Sequence, residues 1–273
     1  MAAEGAPATL AYFNIERGRP LWLLGGLFAL VVVLVARWRG LMSLVGLGFA
    51  GVVVGLFVVP ALLVGESPVP VAIVGAVAIM YVVLYTTHGF SIRTSAALAG
   101  TLGGIGMTAA IGAWAVDSSH LTGVTGEEGG LLTAYAGGLD FQALLVAAVV
   151  IAGLGVLNDV TITQTSAVWE LRGAAPTMTR RSLVASAMRI GRDHIASTIY
   201  TIVFAYTGTA LLLLKVVSLY NRALLDLAGT DEIATEVVRS LSSSIGLVLA
   251  MPLTTAIAAL TVPGPSEDAR TTV

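Results

Sequence analysis

Seven stretches of this chain come close to the roughly 20 apolar residues that a bilayer-spanning helix needs, and that leaves few folds open. They are residues 21–36, 41–64, 69–87, 95–116, 141–158, 194–215 and 241–262. The first is short, but Arg17, Arg19 and Trp22 can anchor it at an interface. Inside a bilayer only helices and closed barrels satisfy their own backbone. Runs this long and continuous read as helices, so the expected fold is an all-α polytopic bundle of about seven transmembrane helices. Composition agrees: 56% of residues are hydrophobic and 11% charged, against about 25% charged in soluble domains. Residues 1–20 read as a short external segment, 21–262 as the membrane domain, and 263–273 as a disordered cytoplasmic tail.

The connections shape the bundle. RWRG at 37–40, GESPVP at 65–70 and THGFSIRTS at 87–95 are tight, so the first four spans should be antiparallel neighbours. Pro176 should end the fifth helix, and Thr179 is placed to cap the next. Between 173 and 193, Leu183, Val184, Ala187, Met188 and Ile190 alternate with Arg180, Arg181, Arg189 and Arg192. That pattern predicts one amphipathic helix on the cytoplasmic surface, turning into the sixth span at Asp193. A short external helix is expected around Glu127–Ala136, and a helical elbow in 216–240 with Gly229 and Thr230 as breaker and cap. Gly100, Gly103, Gly104 and Gly106 read as close helix packing in the fourth span, with an unwound substrate-binding stretch as the alternative.

Basic residues set the expected orientation. With the RWRG turn inside, nine of the fourteen Lys and Arg residues are cytoplasmic, and most acids lie outside. The N-terminus is then outside and the C-terminus cytoplasmic.

Asp159 is the residue that composition does not explain. The apolar run Leu144–Leu157 leads straight into Asn158-Asp159. A carboxylate at a central bilayer position costs about 2.5–3.5 kcal/mol on insertion scales, so it survives paired, solvated or protonated. Asp159, Thr163, Ser166 and Glu170 follow at i, i+4, i+7 and i+11, one stripe of a helix. The sixth span offers Asp193, Ser197 and Thr201. The two stripes should face each other, because lipid does not solvate them. Arg189 and Arg192 are placed to pair with Glu170, Asp193 or Asp159. Two readings stand side by side: a half-channel with oxygen ligands for a proton, small cation or solute, and an interhelical clamp of charge pairs and hydroxyl bonds. Arg192-Asp193 reads as structural, at the membrane boundary. His194 reads as an interfacial anchor rather than a general base. Pro252 frees a carbonyl that either coordinates a cation or is repaired by a neighbouring threonine. Ser240, Ser242, Ser243 and Ser244 either line an entrance or permit close packing.

Several function classes drop out. No cysteine is present, so thiol and disulfide chemistry are excluded. Three scattered histidines argue against a dedicated metal site, and no cofactor motif appears. No hydrolase, zincin, Walker or dinucleotide signature is found, so an enzyme is not expected. Nothing basic and aromatic-interleaved suggests nucleic acid.

The segments GLGVLNDV, TSAVWEL and RIGRDHIASTIYTIVFAYTGT resemble the YibE/F-like family of bacterial membrane proteins. So do the opening ERGRPLWLLGGLFALVVVLVARWRGLMSLVGL and the closing DEIATEVVRSLSSSIGLVLAMPLTT, and the resemblance runs from Tyr12 to Leu260. It implies a bacterial cytoplasmic membrane location. It also implies that Asp159, Glu170, Gly191, Arg192, Asp193, Thr201, Tyr206, Gly208, Glu232, Arg239 and Pro252 occupy recurrent positions. Members of this kind carry a further N-terminal span and an external segment, which makes this chain the expected C-terminal part of a longer protein. The function this suggests is permease-like movement of a small solute or ion, with intramembrane carboxylates as coupling groups. The alternative is a membrane scaffold or accessory subunit. Beyond the lipid bilayer, the candidate partners are a second copy of the chain or another membrane protein.

Overall fold

The computed structural model describes residues 18–135, 138–209, 211, 215 and 229–265. Every regular element among them is helical. α1 runs Gly18–Val53, continues through a π-helical turn Val54–Val58, and ends in α2, Val59–Leu63. α3 is Pro68–His88, α4 Ile92–Ser118, α5 Gly126–Tyr135, α6 Phe141–Ala174, α7 Arg180–Thr209 and α8 Asp231–Thr261.

Five of these elements are long and apolar enough to cross a membrane: Gly18–Leu63, Pro68–His88, Ile92–Ser118, Phe141–Ala174 and Asp231–Thr261. Two of the seven expected spans are not counted separately among these five. First, 21–36 and 41–64 fall in one 46-residue helical element. At 1.5 Å per residue that element is about 70 Å long, over twice a hydrocarbon core. It is broken at Arg37, whose backbone is non-helical (φ 53°, ψ −131°). There the chain folds back sharply enough that a Cβ on Gly40 would sit 2.4 Å from the Val32 carbonyl oxygen. Residues 18–28 are all exposed, so this segment does not pack as a full neighbour of the next. Second, 194–215 belongs to α7, which is charged through its first half, and residues 210 and 212–214 lie outside the described residues.

One expectation is corrected. No surface helix turns into a span at Asp193, because α7 is continuous from Arg180 to Thr209. Nothing in that stretch removes an amide donor, and a lone Gly191 does not stop a helix. The turn sits earlier, at 175–179, where Pro176 follows the α6 C-cap. Thr179 caps α7 by accepting from the Ser182 amide at 3.2 Å, as expected. α7 then runs antiparallel to α6 and α8 instead of lying flat. Leu183 and Ala187 cluster with Val168, Ala258, Ala259 and Val262, Gly191 touches Met251 and Gln164, and Ile202 joins Leu247.

The turn is held by Arg172, which is only 6% exposed. Its Nη1 donates to the carbonyls of Pro176 (3.0 Å) and Met178 (2.6 Å). Charge-assisted bonds of this kind contribute about 1.5–3 kcal/mol each. Arg172→Ala should therefore cost about 3 kcal/mol or more, and trypsin should cut faster at Arg180. Unchanged thermal unfolding and unchanged cleavage would show that the turn holds without it.

α4 packs most extensively on α8, and the glycines explain how. Gly100 lies against Thr254, Gly103 against Leu253, and Gly104 against Leu157 and Ala250, as close packing requires, while Gly106 faces open space. Ser242, Ser243 and Ser244 are buried, and a Cβ on Gly153 would lie 3.7 Å from the Ser243 hydroxyl, so this stretch serves packing. Pro252 does not break α8. The carbonyl that Pro252 leaves without its helical amide donor is that of Val248; the Thr255 hydroxyl donates instead to the Met251 carbonyl at 2.8 Å. The short helix expected around Glu127–Ala136 is α5. Thr230 is the α8 N-cap by position, without a side-chain capping bond, and Asp231 and Glu232 fill the first turn. The rest of the expected elbow, the terminal segment 1–17 and the tail from 266 lie outside the described residues.

Candidate functional site

The connections gather at two ends. Residues 65–70 and 138–143 line one cavity of about 240 Å³, and Thr122 donates to Asp231 at 2.5 Å. At the opposite end Arg93, in the first turn of α4, reaches Ser166 (2.5 Å) and Glu170 (3.5 Å) on α6. His88 lies close enough to Arg39 and Arg93 to feel their charge. Loop residues thus alternate between the ends as the sequence pattern demands, and the arginine-rich connections share one of them.

Two apolar clusters mark the height between these ends. Val116, Leu121, Leu145 and Val146 form one; Val168, Leu183, Ala258 and Val262 form the other. From Leu145 to Val168 the rise along α6 is about 35 Å, close to the roughly 30 Å of a hydrocarbon core. Asp159 lies about 20 Å from the first level and about 13 Å from the second. It therefore sits near mid-height, beside Leu157, which meets Gly104 and Ala250 there.

Asp159 has a partner on α7, and it is His194. The Asp159 Oδ2 and His194 Nε2 atoms are 3.4 Å apart. The imidazole side chain is 27% exposed and the carboxylate 62%, so the pair opens sideways out of the bundle. His194 therefore stands against the α6 carboxylate, with Arg192 and Asp193 just before it on α7.

The two expected stripes do not face each other. Asp159, Thr163 and Glu170 are exposed and Ser166 half-buried on α6; Asp193, Ser197 and Thr201 are exposed on α7. Ser197 and Thr201 bond carbonyls of their own helix, those of His194 and Ser197. The inward face of α7 belongs instead to Leu183, Ala187, Gly191, Thr198 and Ile202. One position along a helix is a rotation of about 100°, enough to carry each stripe residue off the contact. The charge partners differ as well. Arg189 bonds Ser186 of its own helix at 3.0 Å, Arg192 is exposed, and Glu170 pairs with Arg93.

Between the helices lie uncharged polar groups that the sequence reading passed over. Gln164 is 2% exposed. Its amide donates to the Ala187 carbonyl (3.1 Å) and to the Thr255 hydroxyl (2.7 Å), tying α6, α7 and α8 together. A Cβ on Gly191 would lie 2.8 Å from the Met251 sulfur and 3.0 Å from the Gln164 side-chain oxygen, so a glycine lets the helices approach there. Thr101 and Thr161 share a 2.6 Å bond across α4 and α6. One signal pointed to His194: Asp159 and His194 stand almost equally far from the two ends of the 175–179 turn, and an antiparallel hairpin pairs such positions. Arg93 was counted only for orientation, although alternating spans place it at the α6 end.

A chain made of long apolar helices, with a polar network across three of them and a carboxylate–imidazole pair at mid-height, is a polytopic helical membrane protein. Its sequence matches the YibE/F-like protein family over residues 24–264, and the chain belongs to that family. No curated protein and no solved structure matches it.

Proposed function

We propose that this protein is a permease-like membrane protein that moves a proton, a small cation or a proton-coupled solute, with Asp159 as its coupling group. The observation that carries the reading is the Asp159–His194 pair near mid-height, with most of the carboxylate exposed. At that depth lipid does not solvate a carboxylate, so water, a solute or another protein surface must meet it. The carboxylate and imidazole are 3.4 Å apart with no hydrogen bond between them, so a small approach or one bridging water would let a proton pass. Glu170, with Ser166 and Arg93, continues the polar path toward the arginine-rich end. Thr163, Asp193, Ser197 and Thr201, with Arg189 and Arg192, are exposed and are candidate lining groups. In this reading the chain crosses a bacterial cytoplasmic membrane seven times, with the Arg37 kink separating the first two crossings and α7 supplying the sixth. The N-terminus is outside and the arginine-rich end cytoplasmic.

The native chain has no cysteine, so single cysteines report cleanly. Variants Ser182→Cys and Thr125→Cys should react with an impermeant thiol reagent from opposite sides of the membrane. Thr163→Cys should react as well, through water. Purified protein in liposomes should carry a proton current under an imposed potential, read with an internal pH dye. An unreactive Thr163→Cys together with flux at the level of empty vesicles would overturn the transport reading in favour of a scaffold.

A further inference from the structure

One face of α3 reads, in order, Val74, Ala78, Tyr81, Tyr85 and His88, at i, i+4, i+7, i+11 and i+14. This is a single helical stripe. Its upper part lines an apolar groove of about 440 Å³, with Phe49 of α1 as the opposite wall and Ile73, Val77 and Val82 beside it. The groove is open at the bundle surface, since Val74 and Tyr81 are more than half exposed. Lower on the stripe the rings become a stack: Tyr81 meets Tyr85 edge-on at 4.9 Å, and Tyr85 stacks on Phe90 at 4.6 Å. The Tyr85 hydroxyl is held 2.8 Å from Ser95. Aromatic rings with one polar edge belong at the level of lipid headgroups.

The stripe ends among positive charges. His88 closes α3 on the exposed surface, beside the guanidinium groups of Arg39 and Arg93. Arg39 comes from the far side of the Arg37 turn. Arg39, Met42, Gly46 and Phe49 follow at i, i+3, i+7 and i+10, so Arg39 stands below the same groove wall. Gly46 packs on Val83 and brings the two helices together there. Glu170 relieves Arg93 in part, at 3.5 Å and mostly exposed. Arg39 is exposed and has no carboxylate within ion-pair range among the described residues. Two guanidinium groups converging at the foot of an apolar groove repel one another unless an anion lies between them.

We propose that this surface binds one anionic phospholipid, its phosphate between Arg39, His88 and Arg93 and an acyl chain along the groove from Tyr81 to Val74. Tyr85 and Phe90 then lie at the glycerol level. A basic pocket between helices recognises the headgroup; the groove recognises the tail, each buried methylene adding to affinity. Neither feature alone selects this ligand. A soluble phosphate gains nothing from the groove, and a neutral lipid gains nothing from the arginines.

Native mass spectrometry of the detergent-solubilised protein, offered an equal mixture of phosphatidylglycerol and phosphatidylcholine, tests this. The intact protein should retain phosphatidylglycerol preferentially. Arg39→Gln should lower that preference about fivefold, as expected for one basic group at a membrane surface. Ala78→Trp fills the groove and should lower retention of both lipids. Arg181→Gln, an exposed arginine elsewhere at the same end, should leave the preference unchanged. Three outcomes overturn the proposal: no headgroup preference in the intact protein, an equal loss in Arg181→Gln, or displacement of the lipid by glycerol 1-phosphate at equal concentration. The last would mean that phosphate alone is read.

Discussion

Asp159→Asn is expected to leave a folded protein whose flux falls by about 100-fold or more, the scale on which a positioned proton-transfer group acts. Asparagine keeps the size and much of the hydrogen bonding of aspartate but carries neither charge nor an exchangeable acid proton. The stability effect should be small, below about 1 kcal/mol, because the carboxylate is 62% exposed and such pairs contribute little. Thermal unfolding and flux must therefore be measured on the same preparation. His194→Gln should follow the same pattern with a weaker loss, since the carboxylate remains. A variant with normal stability and normal flux would remove Asp159 from the mechanism. A variant that fails to fold would mean that the pair is a clamp, with Asp159 retained for structure.

The second large effect concerns a residue without a side chain. A Cβ at Gly246 would lie 2.0 Å from the Thr108 hydroxyl, 3.0 Å from its Cβ and 3.2 Å from its Cα. Thr108 is fully buried, so α4 and α8 would have to separate. Overpacking by a methyl costs about 1–3 kcal/mol where neighbours shift a little. Gly246→Leu forces a much larger displacement at the most extensive helix contact and should prevent accumulation of folded protein. Gly246→Ala should lower the unfolding temperature, and Thr108→Ala should restore part of the loss, a coupling that marks direct contact. The control is Gly155→Ala on α6, where a Cβ meets nothing within 4 Å. There the change should be neutral or mildly stabilising through helix propensity. Equal effects at Gly246 and Gly155 would show that the α4–α8 contact is looser than described.

What the sequence determined by itself was what bilayer physics enforces residue by residue. Apolar length fixes which stretches are helical and how far they reach. The turn signals at Gly65, Pro176 and Thr179 work through backbone chemistry that needs no neighbour, as does the start of α6, where Asp140 accepts from the Ala143 amide at 2.9 Å. The alternation of connections between two ends follows from helix length alone. Asp159 stood out because its cost is set by depth, and depth can be counted along one helix.

Only the tertiary structure decided which faces meet. Helix rotation is set by the sum of many small packing gains, and moving a contact by one residue turns a side chain through about 100°. Small residues at Gly191 on α7, Gly100 on α4 and Gly246 on α8 let the helices come close on particular faces, and those contacts enclose Gln164 of α6 and Thr101 and Thr108 of α4. The conspicuous charges at Asp193, Arg189 and Arg192 were left outside as a consequence. The same rotation chose His194 for Asp159 and Arg93 for Glu170. Whether residues 180–193 lie on a surface or run into the bundle was likewise a matter of partners. An amphipathic helix suits either place, and the apolar ends of α6 and α8 supplied the surface that Leu183 and Ala187 cover.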